Sequence, residues 1–167
     1  MLELALLTVF PGAVAFAASM DLFTMTIPNR ISLAMLAAFL VLAPFAGLGL
    51  WDMASHLGAG LLVLTVGILL FIPGWIGGGD AKLAAAVALW VGFENLIAYF
   101  FYVALAGGAL ALIFSSLREV PLPRLVIAES WAVRLHGKDG GIPYGIALGA
   151  AALAVYPQTA WFASLLH

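Results

Sequence analysis

Apolar runs of membrane-spanning length fill this chain, separated by brief polar interruptions. Leu4 to Met20 is uncharged, and Asp21 to Arg30 interrupts it. Ile31 to Leu50 follows, with Pro44 inside, and Trp51 to His56 forms a second, turn-like interruption. Leu57 to Ile72 is a third run and ends in Pro73–Gly79, a glycine-rich turn. Asp80 to Phe93 is a short fourth run dominated by Ala81, Ala84, Ala85, Ala86 and Ala88, with Glu94 and Asn95 as its closing turn. Leu96 to Phe114 is the fifth and Ile142 to Tyr156 the last. A helix needs about 20 mostly apolar residues to cross the hydrocarbon core, and it satisfies its own backbone hydrogen bonds while doing so. The pattern predicts an all-α, polytopic membrane bundle of about six transmembrane helices, forming one membrane-embedded domain over residues 1–167. Small residues let membrane helices approach closely, so the alanine-rich fourth run is expected inside the bundle.

Composition excludes the main alternative. The chain is 65% apolar and 8% charged, with a mean hydropathy of +1.18, against about 25% charged residues in a typical soluble domain. The Ala15-Phe16-Ala17 stretch resembles a signal-peptidase site, but Glu3, not a basic region, precedes the run, which is therefore read as a retained first span. Cysteine is absent and the three histidines are scattered, so disulfides and thiolate metal sites are excluded. No metal, cofactor or nucleic-acid partner is expected; the lipid bilayer is. Between Ser115 and Gly140 charge returns at Arg118, Glu119, Arg124, Glu129, Arg134, Lys138 and Asp139, broken by Pro121 and Pro123. Leu125, Ala128, Ala132 and Leu135 share one helical face there, which fits an interfacial amphipathic helix and a solvated loop equally.

Charge placement gives orientation. With alternating spans, Arg30, Lys82, Arg118, Arg124, Arg134 and Lys138 fall on one side, while Glu3, Asp52 and Glu94 fall on the other. The positive-inside rule makes the basic side cytoplasmic and puts the N-terminus outside.

Candidate chemistry sits at that basic side. A charge held toward the middle of a bilayer costs roughly 2.5–3.5 kcal/mol on insertion scales, so Asp80, at a span boundary behind Gly77, Gly78 and Gly79, is a functional candidate. The plainer reading makes the glycines a helix break and Asp80 a cap. Topology adds Asp21, which ends the first span at the same membrane face. Two carboxylates sharing a site tend to hold one proton between them. One then serves as a base toward water and the other as an acid toward a carbonyl oxygen, the chemistry of an aspartyl protease.

Three segments, in order along the chain, carry a resemblance: Asp21 followed by Ile27-Pro28-Asn29; Gly77-Gly78-Gly79-Asp80-Ala81-Lys82-Leu83; and Ile142-Pro143-Tyr144-Gly145. Together they resemble the type IV prepilin peptidases, GxGD-type aspartic proteases of the bacterial and archaeal cytoplasmic membrane. The resemblance implies catalytic roles for Asp21 and Asp80. It also implies cleavage of the basic leader from a prepilin at the cytoplasmic face of the bacterial inner membrane, after a glycine that precedes the hydrophobic pilin helix. That helix would approach laterally from the bilayer. Permissive glycine geometry suggests that Gly77, Gly78 and Gly79 pair with the extended leader backbone; Pro143 and Tyr144 are placed at the border of the cleft. The absence of cysteine and of a region before the first span resembles the small peptidase-only branch found with tight-adherence Flp pilus systems. Many members have basic residues just after the first aspartate, where this chain has Phe23, Thr24, Met25 and Thr26.

Two rival classes are a proton-coupled transporter that protonates Asp80 beside a broken helix, and a structural subunit with both aspartates as caps. The transporter gives Asp21 no necessary role. Lys82, two residues from Asp80, is expected to point away and snorkel to the interface. Pro28 shapes the start of the second span and Asn29 is expected to cap it. His56 and His136 are assigned to the interface without a role.

Overall fold

The computed structural model describes residues 2–120, 129–137 and 141–163, and among these every regular element is a helix. The elements are α1 (Leu2–Thr24), α2 (Asn29–Leu42), α3 (Leu50–Phe71), α4 (Gly78–Leu117), α5 (Ser130–His136) and α6 (Tyr144–Val155). A 3-10 turn (Tyr156–Gln158) and α7 (Ala160–Ala163) follow. Leu7–Thr24, α3 and α4 are each long and apolar enough to cross a membrane, while α2 is shorter. Ile97, Leu61 and Leu33 stand exposed on the flanks, as expected of a surface that meets lipid.

The 40 residues of α4 make two limbs, because Gly92 adopts φ 71 and ψ 174. That left-handed conformation is strained for any residue with a Cβ. A Cβ at Gly92 would also lie 2.9 Å from the His56 ring. The first limb is the centre of the molecule: every residue from 81 to 92 except Lys82 is buried. This agrees with the expected interior position of the alanine-rich run. Gly67 of α3 lies so close to this limb that a Cβ there would come within 2.9 Å of Ala81 Cβ, the close approach small residues permit.

Breaking a helix inside an apolar bundle exposes carbonyls that have no water to bond. Three side chains take them up. His56 Nδ1 donates to Leu89 O (2.8 Å), Trp161 Nε1 to Trp90 O (2.8 Å) and Asn95 Nδ2 to Val91 O (3.0 Å). Around them Phe10, Phe39, Trp90 and Trp161 pack ring on ring, with Trp90 and Trp161 centroids 4.5 Å apart. Trp90 also donates to Met35 O of α2.

Three sequence expectations are corrected here. Trp51–His56 is helical, since α3 begins at Leu50 with Asp52 turned back to the Gly49 N–H (3.0 Å). The reversal falls at Gly92, and Glu94 and Asn95 lie inside the second limb. His56 is not an idle interfacial residue but the donor that closes the end of the first limb.

The bundle therefore has two ends. The aromatic end holds Gly92, Asp52 and Glu94, and the start of α1 with Glu3 lies toward it. The opposite end gathers the close of α1, the starts of α2, α4 and α6, and α5, where Trp131 packs edge-on against Phe23. Arg118 closes the second limb there, donating to Leu135 O and Gly141 O. In α5, Ala132 and Leu135 are buried, as the amphipathic reading requires. Leu125 and Ala128 of that face, together with Arg124 and Lys138, lie outside the described residues.

Candidate active site

Asp21 sits in the last turn of α1, only 5% exposed. Its Oδ2 accepts the Gly145 N–H at 2.7 Å, a donor from the uncapped first turn of α6. The contact needs glycine: a Cβ at position 145 would lie 2.8 Å from Asp21 Cβ and 2.9 Å from Oδ2. Immediately beyond, Met25 holds φ 54 and donates its N–H to Asp21 O (2.8 Å). A left-handed residue that is not glycine costs energy and is common at sites where backbone direction matters. Here it turns the chain so that Ile27 lands against Gly79, where a Cβ would be 3.1 Å from Ile27 Cβ.

Asp80 enters from the other side of that contact. Gly77 is the N-cap of α4, in extended conformation, and the Asp80 carboxylate reaches back to accept its N–H. A Cβ on Gly77 would lie 2.8 Å from Asp80 Oδ2. Asp80 is half-buried and within electrostatic range of Asp21. The two carboxylates thus lie at the same end of the bundle within electrostatic range of each other, each held by a neutral backbone N–H and with oxygen lone pairs left over. A water molecule placed between them can be deprotonated by one carboxylate while the other carries the proton. Among the described residues no group of three His, Cys, Asp or Glu side chains is placed to hold a metal.

The remaining expectations divide. Lys82 points away from Asp80, as expected, and its Nζ donates to Asn29 Oδ1 at 2.9 Å. Asn29 is therefore not the cap of α2; Pro28 holds that position, without a side-chain hydrogen bond. Nor do the three glycines form an extended loop. Gly78 and Gly79 already belong to α4, packed against the Phe71 ring and Ile27, and only Gly77 is extended. Pro143 is the N-cap of α6, and the Tyr144 ring, 42% exposed, packs over Gly107. Gly145, which directly bonds Asp21, had no role in the sequence reading, although its position at a helix start was a usable signal.

The sequence profile of the type IV leader peptidase family matches residues 8–112. This stretch contains both aspartates and ends before Gly145. The chain is also 39% identical over 131 residues to a prepilin leader peptidase/N-methyltransferase of Bacillus subtilis (strain 168). That alignment covers 73% of the chain and 51% of the relative, so the chain spans about half the length of the curated relative it matches. No solved structure matches it. Because the profile match covers more than half of the chain, and holds the two helix ends that bring Asp21 and Asp80 together, the chain belongs to the type IV leader peptidase family.

Proposed function

We propose that this protein is a membrane aspartic endopeptidase that removes the basic leader from type IV prepilins of the Flp class. The supporting observation is the convergence of Asp21 and Asp80 at one end of the bundle. In the resting dyad one carboxylate is ionised and the other protonated. The ionised one takes a proton from water as the oxygen attacks the scissile carbonyl. The protonated one gives its proton to the carbonyl oxygen. Collapse of the tetrahedral adduct breaks the C–N bond: the proton taken from water passes to the leaving amine, and one hydroxyl proton of the adduct returns to the second carboxylate as the new C=O forms. First-turn N–H groups at Gly78 and Gly79 have no intrahelical partner and suit an extended leader backbone, with Pro143 and Tyr144 at the border of the cleft. Both aspartates belong to the one membrane-embedded domain read over residues 1–167.

Arg30, Lys82, Arg118 and Arg134 lie on elements at the dyad end, while Asp52 and Glu94 lie at the other. The positive-inside rule then puts the dyad at the cytoplasmic face of the inner membrane, with the N-terminus outside. The transporter reading leaves Asp21 without work. The test is co-expression with a prepilin that carries a basic leader and a glycine before its hydrophobic segment, scoring leader removal for Asp21→Asn and Asp80→Asn. Both variants should insert normally and fail to cleave. Full processing by either one overturns the dyad.

A further inference from the structure

Two buried side-chain oxygens have no hydrogen-bond partner among the described residues, Ser32 Oγ and Tyr99 Oη. The two differ physically. A serine on a helix can rotate its hydroxyl toward the carbonyl one turn back, whereas a phenol cannot reach its own backbone. An unpaired buried hydroxyl is costly in a packed interior, and Tyr99 is completely buried.

Its place in the fold supplies a reason. From Asp80 the first limb of α4 rises about 18 Å to Gly92, and the second returns about 10 Å before Tyr99. The second limb does run back toward the dyad: Gly107 lies against Tyr144, the neighbour of the Gly145 that bonds Asp21, and Arg118 reaches Gly141. Tyr99 therefore stands on the aromatic-end side of Asp80, about 8 Å along the axis by the same helical rise. Its phenol is within electrostatic range of the Asp80 carboxylate.

We propose that Tyr99 is a positioning residue for Asp80, its hydroxyl donating through one water to the carboxylate from inside the bundle. Gly77 N–H holds the carboxylate from the helix start and Tyr99 from below, which fixes the carboxylate plane so that its remaining lone pair faces Asp21. The inference rests on the reading of Asp80 as catalytic.

Tyr99→Phe keeps the ring and removes only the hydroxyl. With the full chain in lipid nanodiscs and a prepilin as substrate, kcat should fall by about tenfold to a hundredfold. KM should stay within about twofold, since substrate binding is not touched. Tyr102→Phe, at the lipid-facing side of the same limb, should match wild type. A purely structural Tyr99 predicts an unchanged kcat, and that result overturns the proposal. A second readout needs no substrate: the rate at which a hydrophobic carbodiimide modifies Asp80, mapped by mass spectrometry. This rate should rise several-fold in Tyr99→Phe, because the carboxylate has lost a donor; an unchanged rate overturns the proposal even if no prepilin is cleaved, so its failure is distinguishable from failure of the peptidase reading. Should Tyr99→Phe not fold, 3-fluorotyrosine at position 99, a stronger donor of the same shape, should slow the labelling, and no change would again count against it.

Discussion

Helices α3 and α4 begin with the same device. Gly49 and Gly77 each stand as an extended N-cap, and three residues later Asp52 and Asp80 each turn back to accept the glycine N–H. Locally the two aspartates are helix caps that also favour the positive end of the helix dipole. Their surroundings separate them. Asp52 is exposed at the aromatic end, where water relieves its charge. Asp80 is half-buried and faces a second carboxylate that is itself almost wholly buried. The capping role anticipated as the plain reading of Asp80 and the functional role are thus compatible. A cap orients a carboxylate, and what the oriented carboxylate can do depends on what lies opposite.

The comparison can be broken most forcefully by exchanging the carboxylates. Asp80→Asn should lower leader removal by about a thousandfold or more, within the range of a lost general acid or base, whereas Asp52→Asn should process a co-expressed prepilin within about twofold of wild type on an immunoblot. Next in size is Gly145→Ala, whose methyl must displace Asp21; a misplacement of about 1 Å costs on the order of a hundredfold in kcat. The helix-start glycines sharpen the contrast further. Gly77→Ala puts a Cβ 2.8 Å from Asp80 Oδ2, and Gly49→Ala puts one 3.3 Å from Oδ2 of the exposed Asp52. The first should reduce turnover by roughly tenfold, and the second should leave it unaltered, in the same peptide-release assay. The smallest effects concern stability. His56→Ala strands the Leu89 carbonyl and should cost about 1–3 kcal/mol, and Asp52→Ala should cost about 0.5–1 kcal/mol. Both can be read from thermal unfolding in detergent, and a His56→Ala protein as stable as wild type would remove the capping role assigned to that ring.

Some of this was open to inspection along the chain. Runs of apolar residues report membrane depth, because a charge in hydrocarbon is expensive wherever it occurs. Alternation of those runs puts Asp21 and Asp80 at one face. Other features were misread for identifiable reasons. Glu94 and Asn95 look like a turn because they are polar, yet the chain reverses at Gly92, where positive φ is permitted. Asn29 looks like a cap, but Pro28 takes that place and the Asn29 amide is engaged by Lys82.

Local sequence thus determined the helical membrane class, the shared end of Asp21 and Asp80 and the cap at the start of α4, since each depends on the cost of exposing backbone or charge within a short window. Tertiary structure alone decided that Gly145 bonds Asp21, that His56 and Trp161 close the broken helix, and that the Tyr99 hydroxyl is buried without a partner among the described residues. These contacts join residues on different spans, and no periodicity encodes them. They follow from how closely glycine and alanine let the spans approach, and from the bundle interior, which offers no water to any polar group the packing leaves unpaired.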